Sequence, residues 1–189
     1  MILYLHGFRS SPQSFKARAM AQHLHELGRE SEFVCPQLSA SPRLAIALAE
    51  SIIGRHQATQ KITLVGSSLG GYYATYLAEK FGLRAILINP AVKPPHDLAK
   101  YVGVTTAFHS DEPFEFKASY IDELRDYAVP QISLPERYFL LAATGDEVLD
   151  WREMVAHYAA AKQIVIQGSD HGMADFVDYF ADIMAFCDA

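Results

Sequence analysis

Gly66-Ser67-Ser68-Leu69-Gly70 sets a serine between two glycines, each two residues away. That spacing suits a nucleophile on a sharp strand-to-helix turn, where the serine backbone is strained and its second neighbours must lack bulk. Such a turn pushes the Ser68 hydroxyl clear of the sheet edge. It also aims the backbone N–H of Leu69, at the positive end of the following helix, toward the place where an oxyanion would form. A plain Gly/Ser loop has the same composition, but the flanks favour the elbow: Ile62-Thr63-Leu64-Val65 precedes it as a buried-type strand, and Tyr72 to Lys80 follows with helical character.

A serine nucleophile needs a general base, and the chain offers eight histidines. His23, His25, His56 and His157 fall in helical runs, His96 and His109 in an irregular segment, and His6 in the first loop. His171 stands apart in Gly168-Ser169-Asp170-His171-Gly172, directly after the last strand-like run, where a loop lets an imidazole reach Ser68. The orienting carboxylate is expected from Thr144-Gly145-Asp146-Glu147-Val148-Leu149-Asp150. Asp146 is favoured because it follows its strand closely enough to meet the far side of the ring. Asp150 reads more simply as a helix N-cap and Glu147 as a solvated charge, while Asp170 adjoins His171 too closely in sequence to face it well. The order Ser, Asp, His is that of α/β-hydrolases.

Acyl transfer needs a second N–H aimed at the oxyanion, and the first loop, His6-Gly7-Phe8-Arg9-Ser10-Ser11-Pro12, is its natural source. Phe8 N–H is the choice, with Arg9 as the alternative. His6 is expected to hold the loop by hydrogen bonding, and Arg9 to be solvated or to meet an anionic substrate group.

Positioning these groups requires a particular set of elements. Strand-like runs at Met1–Leu5, Glu32–Cys35, Ile62–Ser67, Arg84–Asn89, Arg137–Ala143 and Gln163–Gln167 alternate with helical patterns at Ser14–Leu27, Ser41 or Pro42–Arg55, Leu69–Phe81, Asp150–Ala161 and Met173–Cys187. That alternation predicts an α/β fold, a mainly parallel sheet of about six strands with helices on both faces. In such sheets a ligand site lies off the carboxyl ends of the strands, where the four loops above converge. Pro90 to Pro135 reads as irregular apart from a helix over about Lys117–Tyr127, and 91–135 as either a lid or pocket wall or an ordinary surface excursion with its own small core. Its aromatic run from Phe108 to Tyr127 is expected to supply an apolar acyl pocket.

At 189 residues, half of them hydrophobic, the chain suits one core and a single domain, 1–189. A net charge of -6 and a pI near 5.7 give no basic footprint for nucleic acid. No apolar run reaches membrane-span length, and the amino terminus lacks signal-peptide features, so a cytoplasmic location is expected. Cys35 and Cys187, far apart, suggest neither a disulfide framework nor a zinc cluster, and no metal or organic cofactor is called for.

These residues carry a resemblance. Tyr4 to Pro12, Leu64 to Ala74, Asn89 to Pro94, Thr144 to Asp150 and Gly168 to His171 resemble the YqiA-type esterases, small bacterial members of the α/β-hydrolase superfamily. The resemblance implies carboxylesterase or acyl-thioesterase chemistry on a small acyl ester or thioester, with Ser68, Asp146 and His171 as triad, and bacterial origin. It also implies a chain that starts at the superfamily's third strand, with strand order 2-1-3-4-5-6. Tyr101 to Leu134 matches no pattern of the family. The same triad would serve an amidase, peptidase or acyltransferase, and a hydrolase scaffold that only binds is the rival from another class.

Overall fold

The computed structural model describes residues 1–106 and 113–189. In chain order its elements are β1 (Ile2–Leu5), α1 (Phe15–Glu26), β2 (Phe33–Val34), α2 (Pro42–His56), β3 (Thr63–Ser67), α3 (Leu69–Phe81), β4 (Arg84–Ile88), α4 (Pro94–Leu98), β5 (Gly103–Thr106), β6 (Pro113–Phe116), α5 (Ala118–Arg125), β7 (Tyr138–Ala143), α6 (Trp151–His157), β8 (Lys162–Ile166) and α7 (Phe180–Asp188). Six strands form one sheet in the order β2-β1-β3-β4-β7-β8, with every neighbouring pair parallel. Counted among themselves, these strands run 2-1-3-4-5-6, the expected order.

Alternation along each strand divides the core into two layers. Ile2 and Tyr4 of β1, Ile86 and Ile88 of β4, and Phe139 and Leu141 of β7 pack toward α1 and α7. Their sequence neighbours Leu3, Leu5, Ala85, Leu87, Leu140 and Ala142 pack toward α2, α3 and α6. A strand buried on both faces must be apolar at every position, which is why these runs read as continuous hydrophobic stretches.

The helix ends show ordinary chain chemistry. Ser41 accepts from the Leu44 N–H at the start of α2, with Pro42 at its first position. Gly82 ends α3 in a left-handed conformation (φ 69°). The final helix, expected over Met173–Cys187, is broken. Met173 has φ 51°, a turn joins its N–H to the Asp170 carbonyl, and one 3-10 turn (Phe176–Tyr179) precedes α7. Burial of both Met173 and Phe176 against the sheet favours this detour over a straight helix.

The segment after Pro90 is more regular than expected. It contains α4, an antiparallel β5–β6 pair outside the main sheet, and α5 over a slightly shorter span than predicted. Phe8 lies against Tyr101, Phe114 and Phe116 at ring separations of 5.6, 5.2 and 5.0 Å, so this segment buttresses the first loop. Glu123 of α5 accepts from the Ser41 hydroxyl and the Arg43 N–H at the start of α2, at 2.7 and 2.9 Å, and the Tyr72 hydroxyl donates to the Leu124 carbonyl at 2.6 Å. Phe108 and His109 lie outside the described residues.

Candidate active site

β3 delivers Ser68 at its carboxyl end. The serine backbone takes φ 56° and ψ -121°, a conformation that strains any residue with a side chain. Three hydrogen bonds hold it there: Ser68 N–H donates to the Ile88 carbonyl, and the Ser68 carbonyl accepts from Gly71 and Ala91 N–H, all within 2.9–3.0 Å. Steric demand at the flanking glycines is severe. A Cβ on Gly66 would stand 2.3 Å from the Gly70 carbonyl oxygen, and one on Gly70 would stand 1.9 Å from the Leu5 carbonyl oxygen.

His171 and Asp146 arrive from the loops after β8 and β7. The Asp146 side chain is fully buried, and its Oδ2 lies 2.7 Å from His171 Nδ1. Its Oδ1 accepts from the Val148 and Leu149 N–H groups, both at 2.8 Å, which fixes the carboxylate plane. An ionised carboxylate only accepts, so Nδ1 carries the ring proton and Nε2 is left as an acceptor. That Nε2 faces Ser68 Oγ at 3.2 Å. The three residues singled out from sequence thus form one continuous hydrogen-bonded row.

Three further side chains hold the His171 loop, and sequence reading gave none of them this place. Asn89, wholly buried with φ 42°, accepts from Ala143 N–H at 2.8 Å and donates from Nδ2 to the Asp170 and His171 carbonyls at 3.1 and 3.2 Å. Lys16 donates from Nζ to the His171 and Gly172 carbonyls at 3.3 and 2.7 Å. Glu147 was read as a solvated charge; it is exposed, yet its Oε2 accepts from the His171 N–H at 3.1 Å. Asparagine at the end of β4, directly before Pro90, was the available signal, since asparagine tolerates a left-handed backbone better than most residues.

The other candidates fall into place around this row. Asp150 caps α6 by accepting from the Arg152 N–H at 2.9 Å. His6 is buried: Nδ1 lies 3.0 Å from the Gly7 carbonyl and Nε2 accepts from the Leu38 N–H at 2.9 Å, so the ring ties the first loop to the segment after β2. Burial pushes its pKa down and favours this neutral form. Arg9 Nε donates to the Thr106 carbonyl at 2.6 Å. Gly7 approaches Ser68 so closely that an added Cβ would stand 3.1 Å from the serine Cβ, which brings the first loop alongside the nucleophile. Cys35 and Cys187 are free thiols, and burial pushes them up to about 12 and about 11.

Two cavities meet at Ser68 and His171. The larger, about 720 Å3, has Phe8, Leu69, Pro94, Leu98, Tyr101 and Leu149 among its lining residues. Its apolar walls therefore come from the first loop, residues 91–101 and the loop after β7. Of the run from 108 to 127 expected to build the pocket, the described part, 113–127, does not line it: Phe116 is buried in the core against Tyr120, and Tyr127 packs on Tyr76. The smaller cavity, about 270 Å3, opens on the other side toward Lys16 and the start of α1. Among the described residues no group of three His, Cys, Asp or Glu side chains is arranged to hold a metal ion, and no helix is long and apolar enough to cross a membrane.

This parallel sheet, with a strained serine at the end of its third strand and the topological switch beside it, defines the α/β-hydrolase fold. The solved structures agree in architecture. A protein from Agrobacterium vitis S4 matches with a TM-score of 0.77 at 19% identity, over 98% of this chain and 87% of that one. Est1E from Butyrivibrio proteoclasticus, with ferulic acid bound, matches with 0.72 at 14%, over 99% and 86%. Alpha/beta hydrolase domain-containing protein 10 from mouse matches with 0.71 at 19%, over 97% and 89%. Within that fold the chain belongs to the uncharacterised protein family UPF0227, whose pattern it matches over residues 1–188.

Proposed function

We propose that the protein is a serine esterase acting on acyl esters or thioesters through Ser68, His171 and Asp146. The observation that carries this reading is the hydrogen-bonded row from Asp146 through His171 to a serine held in strained geometry at a strand end. Ser68 Oγ attacks the carbonyl carbon while its proton passes to His171 Nε2, and the imidazolium is stabilised by Asp146. The oxyanion is met by the N–H groups of Leu69, at the start of α3, and Phe8. The C–O or C–S bond then breaks as Nε2 returns the proton to the leaving atom, and water repeats the sequence on the acyl-enzyme. The larger cavity takes the acyl chain, with residues 91–101 as part of its wall. The esterases among the structural relatives support the reading.

The test is turnover of a p-nitrophenyl ester series and an acyl-CoA, together with labelling by a fluorophosphonate. The expected result is ester hydrolysis with the label on Ser68. A folded protein that neither turns over any acyl substrate nor takes the label would overturn the proposal.

Asn89 gives a prediction separable from the chemistry itself. Asn89→Asp keeps the acceptor for Ala143 N–H but turns the donor side into an oxygen facing the Asp170 and His171 carbonyls. Losing buried bonds of this kind costs about 2–3 kcal/mol. A displaced imidazole lowers kcat by roughly 10- to 100-fold. Steady-state kinetics and a thermal melt on the same preparation check both effects.

A further inference from the structure

Residues Gly7 to Ser10 form a tight turn, closed by a bond from the Ser10 N–H to the Gly7 carbonyl at 3.2 Å. Its third residue, Arg9, has φ 58°, a left-handed backbone that glycine adopts freely and arginine does not. The chain thus keeps a side chain where a bare backbone would relax the turn. An outlier of this kind persists only where its surroundings hold it. Here they include the β5–β6 pair. Arg9 Nε donates to the Thr106 carbonyl of β5 at 2.6 Å, and the Phe8 ring packs edge-to-face on Phe114 and Phe116 of β6, at interplanar angles of 89° and 81°.

The pair turns one apolar face to that contact. Phe114 and Phe116, two apart on β6, share the inner face, whereas Val104 and Glu115, opposite each other in the ladder, are both exposed on the outer one. The main sheet closes without these two strands. On its other flank the turn is tied by His6, whose Nε2 accepts from the Leu38 N–H. Held in this way, the Phe8 N–H has no acceptor among the described residues, as an oxyanion donor requires. Phe114 lines neither of the cavities that meet Ser68 and His171; with Gly7, Phe8 and Leu69 it borders a separate space of about 20 Å3. Its influence on turnover must therefore pass through the turn and not through contact with substrate.

We propose that Phe114 is a positioning residue for the oxyanion hole: by gripping the Phe8 ring it fixes the turn that carries the Phe8 N–H, and β5–β6 is the element that completes the hole. The inference rests on the esterase reading and deepens it. The Leu69 N–H is delivered by the start of α3, so the hole has one donor set by the strand-to-helix junction and one set by a pair of strands outside the main sheet. Ordinary packing would change how much enzyme is folded. It would not change how tightly each folded molecule holds an oxyanion.

The test uses the p-nitrophenyl ester that wild type turns over fastest and the trifluoromethyl ketone of the same chain length, with active sites counted by fluorophosphonate titration. Ser68 Oγ adds to the ketone carbon as its proton passes to His171 Nε2, and the tetrahedral adduct puts an oxyanion in the hole. Outright loss of an oxyanion donor costs about 100- to 1000-fold, and a donor that is loosened but present costs less. Phe114→Ala is expected to lower kcat/KM per active site by about 10- to 100-fold and to weaken the ketone by the same factor to within about threefold. Phe114→Leu keeps the bulk and loses the ring edge, so a fall of about 3- to 10-fold on both measures is expected even if the alanine variant fails to fold. Val104→Ala, on the outer face of the same pair, should stay within about twofold of wild type on both. Phe114 variants that match wild type, or that lose kcat/KM without a matching loss of ketone affinity, overturn the positioning role and leave the esterase reading standing. A wild-type protein that neither hydrolyses an ester nor takes the fluorophosphonate counts against the esterase itself, and the positioning role falls with it.

Discussion

Ser68→Ala and His171→Ala are each expected to lower kcat for a p-nitrophenyl ester by about 10^4-fold or more, and the double variant by little beyond either single one, because nucleophile and base act as one unit. The residual rate belongs to the oxyanion donors and to binding. Neither change should unfold the protein: Ser68 Oγ bonds to the imidazole, and the His171 loop is held through its backbone by Asn89, Lys16 and Glu147. Asp146→Asn is the sharper member of the set. The Val148 and Leu149 N–H groups demand an acceptor at Oδ1, so the new amide must keep its oxygen there and turn its NH2 toward His171. An NH2 facing Nδ1 makes that nitrogen the acceptor and moves the ring proton to Nε2, where it blocks proton transfer from Ser68. A fall of about 10^3- to 10^4-fold in kcat with an unchanged melting temperature is the expected signature. Activity within tenfold of wild type in any of the three would remove the proposed mechanism.

Most of the sheet was legible because burial on both faces leaves an apolar run that few other structures require. The elbow was legible for a steric reason, since the close approach of Gly66 and Gly70 to backbone is written directly as missing side chains. Distances in sequence then hid the rest. The β5–β6 pair has no buried run to announce it: Val104 is 74% exposed, and β6 begins on a proline. Its contribution to the site passes through Phe8, a residue about a hundred positions earlier. Lys16 sits on the exposed-looking first turn of α1, and only the folded loop after β8 shows what its ammonium holds. Glu147 has the composition of a solvated residue and is exposed, while its role lies in one backbone bond to His171. What pattern cannot carry is a polar contact between loops, because one donor and one acceptor leave no period behind.

Gly70→Ala is expected to cost about 4–5 kcal/mol, the extreme of what single substitutions do, and Gly54→Ala to stabilise by about 0.5–1 kcal/mol although the chemical change is the same. At Gly70 the new methyl would stand 1.9 Å from the Leu5 carbonyl oxygen and 2.7 Å from that of His6, both backbone atoms. Relief requires α3 to lift away from β1. Leu5 is paired with Gly66 across the β1–β3 ladder, so that movement also pulls on the strand that delivers Ser68. Gly54 lies exposed in α2 with nothing within 4 Å of an added Cβ, so alanine there only removes backbone freedom from the unfolded chain. For a chain of this length each kcal/mol moves the melting temperature by about 2–4 °C, which predicts a fall of roughly 10–20 °C for Gly70→Ala and a rise of about 1–4 °C for Gly54→Ala. Thermal melts of the two variants beside wild type decide the matter. A Gly70→Ala protein that melts with wild type would mean that the elbow tolerates a displaced helix, and the account of Ser68 as a residue pinned in strained geometry would fall with it.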